Sequence, residues 1–195
     1  MTSYAALEVT PIETEVTYHR PRQTFRERVS LEDPALEVMT DFTRVTAISI
    51  NPCAGLQQAR ERMESSGVHL LFVTNQYHEV LGLITINDLT GPKPMQKLSE
   101  NGGRMEDLMV RDIMTPRHHL EALDFEDVRK AKVGHLVETL KRMGRRHALV
   151  VERQPDGGRQ IIRGVFSSHQ IGQLLGEPLD DSHMAGNIAE LAAHA

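Results

Sequence analysis

Apolar positions along this chain follow two periods, and the alternation between them occurs twice. Val45-Thr46-Ala47-Ile48-Ser49-Ile50 is β-branched and alternating, which predicts a strand ended by Asn51-Pro52. Leu56, Ala59 and Met63 then fall at helical spacing, with Gln57, Arg60, Arg62 and Glu64 between them. Residues 54–65 are therefore expected as an amphipathic helix capped by Gly67. Leu70-Leu71-Phe72-Val73 and Val80-Leu81-Gly82-Leu83-Ile84 are apolar runs of strand length, joined by a turn over Asn75 to Glu79. Thr85 and Asp88 follow the second run, and Gly91-Pro92 stop the short helix that begins there.

The same order returns downstream. Ile113-Met114-Thr115-Pro116 echoes Val38-Met39-Thr40, itself the end of a short helix started at Ser30-Leu31-Glu32-Asp33-Pro34. Leu120 to Phe125 lies as far beyond Met114 as Val45 to Ile50 lies beyond Met39. Val133, Leu136, Val137 and Leu140 form a helical stripe, and Gly144 stands where Gly67 stood. Ala148-Leu149-Val150-Val151 is the next strand, Pro155-Asp156-Gly157-Gly158 a turn, and Ile161-Ile162 leads to Gly164-Val165-Phe166-Ser167-Ser168-His169-Gln170-Ile171. Ile171, Leu174 and Leu175 give a closing helix, stopped by Gly176 and Pro178. The duplication divides the chain into repeats at 36–91 and 111–176. Around them lie an irregular arm at 1–35, a Gly- and Pro-containing connector at 92–110 and a polar, Ala-rich tail at 177–195.

Composition narrows the partners. At 195 residues, 39% hydrophobic and 25% charged, the chain is an ordinary globular one with room for a core. The net charge of −5 gives no broad basic surface for nucleic acid, although Arg20, Arg22, Arg26 and Arg28 cluster on the arm, where a solvated tail or a partner contact is expected. No apolar run reaches the ~20 residues needed to cross a bilayer, and the N-terminus lacks the features of a secretory signal. The single Cys53 suits a reducing cytosol, so a cytoplasmic location is expected.

Two strand–helix–strand–strand–helix units, each opening on Met-Thr and closing on Gly-x-x-Thr/Ser, resemble tandem cystathionine-β-synthase (CBS) domains, the pair called a Bateman module. The residues that carry the resemblance are the two openers, the Leu70 to Val73 and Ala148 to Val151 strands, and Gly82 to Leu89, together covering about residues 36–176. The resemblance implies an α/β (α+β) fold in which two repeats pack by their sheets around a pseudo-two-fold axis, as a stand-alone module that often dimerises into a disc. It also implies an adenine nucleotide (AMP, ADP or ATP) bound between repeats as ligand, with no obligatory cofactor.

Under that resemblance Asp88 would accept hydrogen bonds from both ribose hydroxyls, and Thr85 would add a hydroxyl near a helix start. The other reading of this pair is helix capping, for which Thr and Asp are common. Thr46, Ala47 and Ile48, with Val68, His69 and Leu70, are the positions expected beside adenine. In the second repeat Ser167 matches Thr85, but Gln170 replaces the acid and lacks its charge. The bases are divided the other way: Arg145, Arg146 and His147 match Val68, His69 and Leu70, and would hold phosphate or favour a helix C-terminus. Asp88 and the Arg145 to His147 group are therefore expected to serve one shared cleft.

Other chemistries find less support. The ten histidines contain no His-Glu-x-x-His, and His118-His119 would point to opposite faces of a strand. Cys53 has no neighbouring base in sequence, and Gly102-Gly103 and Gly157-Gly158 lack the phosphate-loop lysine. The expectation is a non-catalytic, homodimeric sensor that passes nucleotide occupancy to a separate effector protein, with no metal, nucleic acid or membrane partner. The alternative is a constitutive dimeric scaffold with vestigial clefts.

Overall fold

The computed structural model describes residues 23–154 and 158–179. The arm before residue 23, with Arg20 and Arg22, the residues 155–157 of the expected turn and the tail from residue 180 lie outside the described residues.

Two four-stranded sheets form, and each has the same order of construction. In the first, β2 (Ser49–Ile50) runs parallel to β3 (Leu70–Thr74), and β3 is antiparallel to β4 (Val80–Thr85). In the second, β6 (Ala122–Asp124) runs parallel to β7 (His147–Arg153), and β7 is antiparallel to β8 (Gln160–Ser167). The crossover helices are α1 (Leu56–Ser66) and α6 (Val133–Met143), each ended by a glycine with positive φ, Gly67 and Gly144. Short helices α2 (Ile86–Thr90) and α7 (Ser168–Leu175) follow the hairpins.

The fourth strand of each sheet comes from the other repeat. β1 (Thr40–Asp41), the opener of the first repeat, pairs with β8 of the second. β5 (Thr115–Pro116), the opener of the second, pairs with β4 of the first. Glycine permits both crossings. A Cβ on Gly82 would lie 2.3 Å from the Thr115 carbonyl oxygen, and one on Gly164 would lie 2.6 Å from that of Thr40. The helical turn before each opener crosses with it. Ala35 and Val38 of the 3-10 turn Ala35–Val38 pack with Val133, Leu136, Leu140, Phe166 and Ile171 of the second repeat. Val110 and Ile113 of α4 (Val110–Ile113) pack with Ala59, Met63, Leu71 and Ile84 of the first. Removing apolar surface from water holds these two cores together. A third cluster, Phe72, Leu83 and Leu149 with Phe42, Leu70 and Val165 against it, joins the sheets face to face; Phe42 meets Phe72 edge-on at 5.5 Å.

Several elements depart from the sequence pattern. Only Ser49–Ile50 of the alternating run is strand; Val45 is a bend and Thr46 to Ile48 are irregular. The connector holds a helix for which no expectation was drawn: residues 93–101 form α3 (Lys93–Asn101), with Pro94 tolerated in its first turn. A further turn, α5 (Phe125–Val128), opens on Asp124, whose side chain accepts from the Glu126 N–H. His118 and His119 stand on a 3-10 turn rather than a strand, with ring centroids 4.2 Å apart. On the arm, Arg26 pairs with Asp33 and Glu37, and the Val29 N–H donates to the Leu174 carbonyl, so residues 23–29 lie against the second repeat.

Candidate ligand cleft between the repeats

The two hairpins end alike. The Ile86 N–H donates to the His69 carbonyl and the Ser168 N–H to the Arg146 carbonyl, both at 2.9 Å. Each bond closes the start of a short helix on the residue that leads into the neighbouring strand. These two junctions face one another across the pseudo-two-fold axis: the His69 and His169 rings approach to 6.2 Å between centroids.

The cavity at this meeting point has a volume of about 740 Å³. His69, Ile86 and Asn87 line it from the first repeat; Arg146, His147, Ser167, Ser168 and His169 line it from the second. Gly172, Gln173 and the stretch from Gly176 to Leu179 complete the wall beside α7. That size falls within the range of small-molecule sites, which are concave and carry a few converging polar groups.

Of the expected site residues, His69, Arg146, His147 and Ser167 reach this cavity. Burial pushes the His147 imidazole down to about 4; His69 and Arg146 press the same way, and Asp88 opposes them. The acid of the first repeat and the bases of the second are thus electrostatic neighbours, but Asp88 does not offer a carboxylate to the cavity. It is 3% exposed. Its Oδ2 accepts from the Thr85 N–H and hydroxyl, both at 2.7 Å, while the Asp88 N–H donates back to Thr85 Oγ1 at 3.4 Å. This is a capping box at the start of α2. Its Oδ1 meets Lys93 Nζ at 2.6 Å. In the structure Thr85 and Asp88 cap α2, and Lys93 takes the second carboxylate oxygen.

The remaining residues are placed elsewhere. Ala47 and Leu70 pack in the cluster between the sheets, and Ile48 and Val68 against the first core, where apolar side chains are drawn by burial. Thr46 lies in the irregular stretch before β2 and outside the cavity lining. Arg145 turns to Glu121, at 2.8 Å. The Gln170 Oε1 accepts from the Thr40 hydroxyl at 3.3 Å, so the amide binds the crossing opener. Ser167, by contrast, makes no side-chain capping bond and lines the cavity.

The sequence reading missed Ile86, Asn87, Ser168 and His169. The signal for them was the repeat itself, because each follows a Thr85 or Ser167 position and is swung inward by the hairpin-to-helix junction. Among the described residues, no three His, Cys, Asp or Glu side chains are grouped so as to hold a metal ion, and no helix is long and apolar enough to cross a membrane.

Residues 35–91 match the family model described as CBS domain. No curated protein matches the chain. Among solved structures, an uncharacterised conserved protein from Pyrococcus horikoshii superimposes with a TM-score of 0.51 at 21% identity, covering 76% of this chain and 93% of that one. CBSX2, a protein of Arabidopsis thaliana, solved in complex with AMP, gives 0.49 at 17% identity over 71% of this chain and 93% of that one. The CBS domain pair of MJ0100, in complex with 5′-methylthioadenosine and S-adenosyl-L-methionine, gives 0.49 at 16% over 75% and 98%.

Proposed function

We propose that this chain, which belongs to the CBS-domain family through residues 35–91, is a non-catalytic regulatory module that binds an adenine nucleotide between its repeats. The observation that carries this reading is a cavity of about 740 Å³ whose wall is shared by both halves. Ile86, Pro178 and Leu179 suit an apolar base, while Arg146, Asn87, Ser167 and Ser168 suit a sugar and its phosphate. Because the cavity is built from two repeats joined by crossed strands, a ligand that grips both halves favours one relative arrangement of them. That shift is the signal, passed to a second copy of the chain or to an effector protein in the cytoplasm.

A thermal-shift panel of AMP, ADP, ATP, S-adenosylmethionine and NAD tests the reading. A nucleotide at about a hundred times its Kd stabilises the folded chain by about 2.7 kcal/mol, or roughly 5–10 °C for this size. One observation favours the scaffold reading instead: Lys93 already satisfies Asp88. A flat response to every compound would favour that alternative.

A further inference from the structure

The chain does not run straight out of the second repeat at the end of α7; it doubles back over that helix. Gly176 takes a left-handed φ of 80°, which glycine adopts at no steric cost. The Gly176 and Glu177 N–H groups then both donate to the Gly172 carbonyl, at 3.0 and 3.1 Å. The crossing is close. A Cβ on Gly172 would lie 3.0 Å from the Glu177 carbonyl oxygen, 3.1 Å from the Leu179 nitrogen and 3.3 Å from the Pro178 Cα. Pro178 fixes its own φ, and Leu179 packs against the second core. The backbone at Glu177 is thus held from both sides, and Glu177 lines the cavity between the repeats.

The fixed charges on that wall are few. Among the described residues of the lining, Glu177 is the one carboxylate and Arg146 the one guanidinium. Arg28 of the arm approaches Gly176 but is not part of the lining. Asp88 is paired with Lys93 and Glu121 with Arg145, whereas no ion pair among the described residues takes up the Glu177 carboxylate.

Resting on the nucleotide reading, we propose that Glu177 is a specificity-determining residue of the cleft: its carboxylate limits the length of the phosphate chain, so that the site favours a nucleoside monophosphate over the di- and triphosphate. Each phosphate added to the chain brings about one more negative charge. Like charges repel, and in a partly enclosed cleft the repulsion is screened less than at an open surface. A single guanidinium cannot match a chain of three phosphates, and those beyond the first meet a fixed carboxylate. Because Gly172 and Leu179 hold the doubled-back stretch, that charge stays at the cleft.

The test is calorimetry of AMP, ADP and ATP binding to the full chain, without divalent cations, for wild type, Glu177→Gln and Glu177→Lys. The titrations are run at about pH 8, above the range in which an ordinary imidazole takes up a proton, so that the charge at residue 177 is what varies. Wild type is expected to bind AMP at least about tenfold more tightly than ATP, with ADP between them. Each step from Glu to Gln to Lys should raise the affinity for ATP relative to AMP by about fivefold. The same ratio in all three proteins, or a wild type that binds ATP as tightly as AMP, overturns the role of Glu177 and leaves the nucleotide reading standing. Absence of binding of all three nucleotides to wild type overturns both. Glu177 is exposed, so neither substitution disturbs the core, and the wild-type order of affinities tests the proposal without any variant.

Discussion

Lys93 Nζ lies 2.6 Å from Asp88 Oδ1, joining the first residue of the connector helix to the acid that follows the first hairpin. The pair is largely buried, with side-chain exposures of 12% and 5%. The two repeats use their acid and amide positions differently. In the first, a carboxylate is retained and neutralised by the connector; in the second, an amide at Gln170 binds the opener Thr40. The charge that distinguishes the halves is therefore spent on architecture, and the cavity draws its polarity from other residues.

Removing one member of this pair should be costly. Lys93→Met leaves the Asp88 carboxylate buried with only the Thr85 bonds, and should destabilise the fold by about 3 kcal/mol in urea denaturation. The Lys93→Met, Asp88→Asn double variant should lose less than the sum of the single changes. Strict additivity would show that the contact contributes nothing.

The crossed openers make a second prediction. Gly82→Ala drives a methyl into the Thr115 carbonyl, and Gly164→Ala drives one into that of Thr40 and the Met39 side chain. Each should cost about 1–3 kcal/mol. Gly55→Ala, whose methyl meets nothing within 4 Å, is the control and should show only the modest cost of Ala at the start of α1. Equal effects at all three positions would contradict the strand exchange.

Asp41 gives a pH signature in stability. Burial alone would raise its pKa, but hydrogen bonds from the Thr43 hydroxyl and N–H, and from Arg163, outweigh it and hold the carboxyl below 3.8. A group with a depressed folded pKa adds stability above its unfolded pKa and loses it as pH falls through the folded value. The wild-type advantage over Asp41→Asn should be complete near neutrality and shrink only below about pH 4. An advantage that is constant down to about pH 2 would contradict this.

His147 acts in the neighbouring window. Its folded pKa is lowered to about 4 from 6.5 by burial, so the unfolded chain binds the extra proton between those values. Stability is therefore fully present above about 6.5 and declines as pH falls toward about 4, by about 2–3 kcal/mol at most. His147→Gln should flatten that decline in nucleotide-free protein. An unchanged slope would remove His147 as its source.

Much of this fold was legible because each repeat obeys local rules. The stripes at Leu56, Ala59 and Met63 and at Val133, Leu136 and Leu140 marked the crossover helices, and Gly67 and Gly144 ended them as expected. The Met-Thr openers were visible, but their exchange between sheets was not, because two-residue strands carry no periodicity and pairing partners are set by tertiary contact. The helix at Lys93–Asn101 was hidden by Pro92 and Pro94, which read as breakers although both fall at its start. The site was half legible. Repeat register located His69, Arg146, His147 and Ser167, whereas the engagement of Asp88 by Lys93 depends on a lysine whose own helix had gone unread.

The most direct test of the account is calorimetric titration of the full chain with AMP, wild type against Arg146→Ala, with folding of both confirmed by circular dichroism. The account predicts saturable binding at a single site per chain, weakened about tenfold or more by loss of the charge-assisted contact from Arg146. Absence of saturable binding to wild type, or the same affinity in both proteins, would contradict it.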